Sequence, residues 1–172
     1  MGEIDLVGAN IALSSIQFIL NTTLWDSFNP KVMSIISQPQ SWREVKLLAP
    51  DGKSNPQLRT IPNDKGGIYL ILAKPNILPE SCLYLMYIGR AHITADHNLR
   101  KRCSQYPTEK ERPKIKRLIE QWGRYLYVRY LPLDGNDIID VVEDELINII
   151  LPPFNDRIPN KKISAAVKAF AM

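Results

Sequence analysis

Apolar residues at residues 67–73 and 83–88 are dense enough to predict two strands in a sheet covered on one or both faces. Residues 125–131 alternate Leu126, Val128, Tyr130 against Tyr127, Arg129, Leu131, which predicts a third strand. Residues 43–48 alternate enough to be another strand, closed by a turn at Pro50, Asp51 and Gly52. Short helices are expected over 8–20 and 30–38, and further helices over 98–106, 112–122 and 137–150. Pro113 suits the first turn of the fourth of these, and Ile115, Leu118, Ile119 and Trp122 form its apolar stripe. Pro152 and Pro153 end the fifth.

The segment over 137–150 contains an anomaly. At about 100° per residue, Ile139, Val142, Leu146, Ile147, Ile149 and Ile150 build one apolar face, and Glu143 falls inside it. An ionised carboxylate there costs several kcal/mol unless it is paired or bound to a metal. A hard divalent cation is the favoured partner, and a salt bridge to a core-edge arginine such as Arg102 is the alternative. In the segment over 98–106, Leu99, Arg102, Cys103 and Tyr106 share one side, which aims Arg102 at the sheet and leaves Arg100 and Lys101 to solvent.

The 172 residues suit one domain with an appendage, and the net charge of +4 is modest. Its distribution is uneven. Arg90, Arg100, Lys101, Arg102, Lys110, Arg112, Lys114, Lys116, Arg117, Arg124 and Arg129 face only Asp96, Glu109, Glu111 and Glu120 in the same stretch. Acidic residues gather instead at Asp134, Asp137, Asp140, Glu143, Asp144 and Glu145. A basic run is ordinarily a solvated face; here it makes Arg90, Arg100, Lys101, Lys114 and Arg117 candidate nucleic-acid contacts. The apolar stretch over 11–20 is broken by Ser14, Ser15 and Gln17, so neither a signal peptide nor a membrane span is expected and a cytoplasmic setting is. Cys82 and Cys103 are expected as thiols, and with His92 and His97 they lack the tight ligand pair of a zinc site.

The triplets Gly67-Ile68-Tyr69 and Tyr87-Ile88-Gly89 sit on the two central apolar runs, where either alone is ordinary strand and turn. They are followed in order by Arg90-Ala91, by Leu99, Arg102 and Tyr106, and by Glu143, Leu146, Ile147, Pro152, Phe154 and Asn155. In this order and in the Glu143-to-Asn155 spacing, residues 66–156 resemble the GIY-YIG nuclease family, most closely its excision-repair branch. The long stretches 70–86 and 92–98 look more like its restriction-endonuclease branch.

The resemblance implies an α/β (α+β) domain with a central three-stranded, mainly antiparallel sheet flanked by helices. The expected organisation is a helical N-terminal extension over 1–62, the nuclease-like domain over 63–160 and a C-terminal tail over 161–172. It further implies metal-dependent DNA cleavage, with Tyr69, Tyr87, Arg102, Tyr106, Glu143 and Asn155 as the catalytic set. Glu143 would hold Mg²⁺ or Mn²⁺, Arg102 would grip the scissile phosphate, and Tyr69 or Tyr87 would orient or deprotonate the attacking water, the choice between them staying open. DNA is the expected partner, with RNA left open, no membrane, and a homodimer as one route to cutting both strands. Restriction or mobile-element cleavage leads; a stand-alone repair or recombination nuclease, and a non-catalytic nucleic-acid-binding protein on the same scaffold, are the alternatives.

Overall fold

The computed structural model describes residues 15–78 and 81–170. Four strands, β1 (Arg43–Lys46), β2 (Gly66–Ala73), β3 (Tyr84–Ala91) and β4 (Leu126–Leu133), form one sheet in the order β1-β4-β2-β3. Every neighbouring pair is antiparallel. The expected three-stranded sheet is therefore corrected to four strands. β1 comes from the segment assigned to the extension and pairs Arg43 with Tyr130 and Val45 with Val128, covering the edge β4 would otherwise leave open.

Six helices accompany the sheet among the described residues: α1 (Thr22–Asp26), α2 (Pro30–Ile36), α3 (Leu99–Ser104), α4 (Pro113–Trp122), α5 (Asn136–Ile150) and α6 (Lys161–Phe170). Of the helix expected over 8–20, residues 8–14 lie outside the described residues and 15–20 have no regular structure. Residues 161–170, expected as a tail, are helical, and the five-residue α1 was not legible in the pattern. Asn29 caps α2 with its side chain, and its backbone N–H donates to Glu145 Oε1 at 2.8 Å, fastening α2 to α5.

The alternation of β2 divides the core. Tyr69, Ile71 and Ala73 face a layer made by Leu99 and Cys103 of α3, by Tyr106 in the turn that follows it, by Ile115 and Leu118 of α4, and by Phe154. Ile68 and the partly buried Leu70 face Val32 of α2 and Ile139, Val142, Leu146 and Ile147 of α5. Both faces of the sheet are covered, which is why β2 reads as a continuous apolar run. Both cysteines are free thiols, Cys103 fully buried with its pKa pushed up by that burial. Among the described residues no helix is long and apolar enough to cross a membrane.

Candidate active site

β3 is an edge strand, and the candidate site lies just beyond that edge. A register shift between Ile71 and Leu72 leaves Met86 as an extra residue on β3, so that Met86 and Tyr87 both serve the layer of α3 and α4. Bulges re-aim side chains in this way. The strand's free side is closed by Asn155, whose Oδ1 accepts from Ile88 N at 2.9 Å while its Nδ2 donates to Ile88 O at 2.8 Å. Phe154 N adds a bond to Met86 O at 3.0 Å. Asn155→Ala is therefore expected to cost about 1–3 kcal/mol and to accelerate hydrogen exchange at the Ile88 amide. Unchanged exchange at Ile88 would show that the clamp holds nothing.

The glycines of the two triplets have separate reasons to be glycine. A Cβ on Gly67, at φ +153°, would stand 2.2 Å from the Leu131 carbonyl oxygen of β4. Gly89 is the register partner of Tyr69, and a Cβ there would stand 2.4 Å from the Tyr69 hydroxyl and 2.7 Å from the Tyr87 ring. Gly89 thus makes room for two tyrosines to lie across the strand pair, their ring centroids 6.4 Å apart. Tyr106 completes the group, its ring 5.6 Å from that of Tyr69 and 6.0 Å from that of Tyr87.

Tyr69 and Tyr106 are fully buried and share a hydroxyl–hydroxyl hydrogen bond of 2.8 Å. Arg102 Nε donates to the Tyr69 hydroxyl at 3.1 Å, and its Nη1 donates to Gln105. Burial pushes the pKa of both buried phenols up; Tyr106 and Tyr87 push that of Tyr69 further up, whereas for Tyr106 the nearness of Tyr87 raises it and the hydrogen bond from Tyr69 lowers it. Tyr87 is only half-buried and lines the cavity described next.

That cavity, about 200 Å³, is bounded by Tyr87, Arg112, Glu143, Asp144, Asn155 and Arg157 among others. Glu143 is 13 % exposed and binds Arg90 Nη1 through Oε2 at 2.5 Å. The partner of the buried carboxylate is thus Arg90 and not Arg102. Desolvation nonetheless raises the Glu143 pKa, Arg90 opposing it and Asp144 adding to it. Arg90 Nε also meets Asp140 Oδ1 at 2.9 Å, and the same oxygen lies 2.5 Å from His92 Nε2. Asp144 Oδ1 is buried with no hydrogen-bond partner, its nearest cations being Arg157 at 3.9 Å and Arg90 at 4.0 Å.

Of the six catalytic candidates, then, Tyr87, Glu143 and Asn155 meet at one cavity. Tyr69 and Tyr106 stand behind it, and Arg102 lines a neighbouring cavity of about 530 Å³. Arg112 borders both cavities, lies 5.0 Å over the Tyr106 ring and binds Glu109 at 2.6 Å. Burial works against its charge, but Tyr106 and Glu109 hold its pKa above the usual value. Sequence reasoning counted Arg112 only in the basic run, and its place before Pro113 offered no other signal. Asp144 and Arg157 were also missed; Asp144 figures in the sequence only as a member of the acidic cluster.

The charged candidates are dispersed. Arg90 is engaged by carboxylates, Arg100 donates from Nε to the Ile61 carbonyl at 2.6 Å, and Lys114 pairs with Asp156 at 2.7 Å. Lys101 and Arg117 are exposed. No group of three or more His, Cys, Asp or Glu converges on one point among the described residues. A hexahydrate-loving cation asks for less, one or two carboxylates with the remaining shell from water and substrate. Glu143, with the orphaned Oδ1 of Asp144 beside it, fits that demand. Compared with known proteins, the chain matches no family model, no curated protein and no solved structure.

Proposed function

We propose that this chain is a metal-dependent endonuclease of the GIY-YIG type that hydrolyses DNA phosphodiester bonds with Mg²⁺ or Mn²⁺. The observation that carries the reading is the meeting of a phenol, two adjacent carboxylates and two guanidiniums around one small cavity at the sheet edge: Tyr87, Glu143, Asp144, Arg112 and Arg157. A protein that only bound nucleic acid would gain nothing from carboxylates in a phosphate-sized cavity, since they repel the ligand.

When bound at Glu143 and Asp144, the cation would supply Lewis-acid charge for the phosphate and an ordered hydration shell. Arg112 and Arg157 would hold the phosphate oxygens, where a planar fork matches two oxygens at once. The Tyr87 phenolate oxygen would take a proton from the attacking water as the new P–O bond forms and the bond to the departing sugar oxygen breaks, that oxygen taking its own proton from solvent water. The guanidinium of Arg112 lines the same cavity as Tyr87. Tyr69 is unsuited to that role because its hydroxyl is fully buried and already bonded to Tyr106 and Arg102. Arg90, held by Asp140, opposes the desolvation of Glu143 and aims its carboxylate. Long loops favour a restriction or mobile-element setting, with a stand-alone repair or recombination nuclease as the alternative.

The test is incubation of supercoiled plasmid with Mg²⁺, Mn²⁺ or EDTA. Discrete metal-dependent fragments are the expected result, and nicking without fragments would favour the repair-like alternative. Intact plasmid and intact RNA in every metal would sink the nuclease reading in favour of a binding protein.

A further inference from the structure

A second cavity, about 500 Å³, opens beside the candidate site and shares Ile147, Asn155 and Asp156 with it. Resting on the nuclease reading, we propose that this cavity holds a nucleotide of the bound strand next to the scissile phosphate, its phosphate taken by Arg117 and Lys168 and its base laid against Trp122. The smaller cavity has room for little beyond the reacting phosphate, whereas the larger falls in the range that accommodates small organic ligands.

The charges in the larger cavity point to an anion. Arg117 of α4 and Lys168 of α6 both line it, both are exposed, and neither makes an ion pair among the described residues. The one carboxylate there, Asp156, is neutralised by Lys114 at 2.7 Å. α6 contributes no acidic side chain along its length. The same cavity has an aromatic wall, Trp122 held edge-to-face on Phe154 with centroids 5.8 Å apart. Cations without ion pairs lining one cavity with a fixed indole suit a phosphate joined to a planar base, because base–aromatic stacking tolerates any sequence while the cations follow the backbone. Asn155 sits at the neck between the two cavities, so the clamp on β3 also sets the distance from this nucleotide to Tyr87 and Glu143.

Binding of single-stranded hexathymidylate to the full chain in EDTA tests this without any need for cleavage. Tryptophan fluorescence should be quenched in the wild type, and the quench should be lost in Trp122→Phe. Arg117→Gln with Lys168→Gln should weaken binding about tenfold and lower the slope of log affinity against log salt by about 1.4. The control pair Lys53→Gln with Arg59→Gln, on exposed residues remote from both cavities, should change neither. Equal loss in the control pair would reduce the effect to overall charge and overturn the proposal. So would a quench that survives Trp122→Phe, or a wild type that cuts plasmid while the Arg117/Lys168 pair binds normally. Correct quenching and slope without cleavage by the wild type would leave the nucleotide site standing and remove the nuclease reading.

Discussion

Glu143→Gln is expected to lower metal-dependent DNA cleavage by about 10²–10³-fold or more, and its stability relative to the wild type is expected to rise with pH. The amide still accepts from Arg90, so the geometry of the 2.5 Å contact is retained, but a hard cation loses its charged ligand. The stability expectation follows from the direction of the pKa. Burial raises the Glu143 pKa above its ordinary value, so the folded state holds its proton more tightly than the unfolded state. The stabilisation linked to that proton is fully present below the unfolded pKa and is lost as pH rises through the higher folded value. The wild type loses it as pH passes through that raised folded value, and the glutamine variant, which does not titrate, shows no such loss. Thermal unfolding of both proteins from pH 4 to pH 8 checks this: the wild type should lose stability relative to the variant as pH rises. A variant that unfolds at neutral pH would instead make the Arg90–Glu143 pair a structural bridge. Functional sites commonly carry such groups at a cost in stability.

Removing one hydroxyl from Tyr87 and from Tyr69 should separate chemistry from architecture. Tyr87→Phe keeps the ring stacked over Tyr69, and it removes the phenol that borders the cavity. Its expected signature is a loss of about 10²–10⁴-fold in the cleavage rate with near-normal melting and normal DNA binding. Tyr69→Phe leaves the buried Tyr106 hydroxyl without its 2.8 Å partner and Arg102 Nε without its 3.1 Å acceptor. Its expected signature is a stability loss of about 1–3 kcal/mol, some 2–4 °C in melting temperature for each kcal/mol in a chain of this size. Activity should then recover largely when the assay is cooled below the lowered transition. Should Tyr69→Phe remain fully stable and inactive while Tyr87→Phe keeps its rate, the two tyrosines have been assigned the wrong way round.

The elements that carry the site were legible because their signals are local. Glu143 stands out on α5 by helical phase alone, and β2 declares its two covered faces by unbroken apolarity. The register Tyr69 to Gly89 was not legible, since it depends on pairing across an enlarged loop, yet it explains why the second triplet ends in glycine. Arg90 illustrates the opposite case. The basic run counted it as a candidate nucleic-acid contact; across the strand pair its partner is Ile68, and α5 covers that face with Asp140, Glu143 and Asp144. A charged residue's partner is set by which element covers its face, and this information is absent from spacing along the chain.

By itself the sequence determined the strand and helix content of residues 66–150, the anomalous carboxylate on α5 and the basic character of the stretch from Arg90 to Arg129. These follow from periodicity and composition, which act over a few residues. Only the tertiary structure decided that β1 completes a fourth strand, that Arg112, Asp144 and Arg157 border the cavity, and that Tyr87 opens onto it while Tyr69 is sealed behind. Those outcomes depend on which strand is left at the edge of the sheet. The cavity draws its lining from β3, from α4 and α5 on opposite faces of the sheet, and from the segment after α5, so side chains distant in sequence meet there.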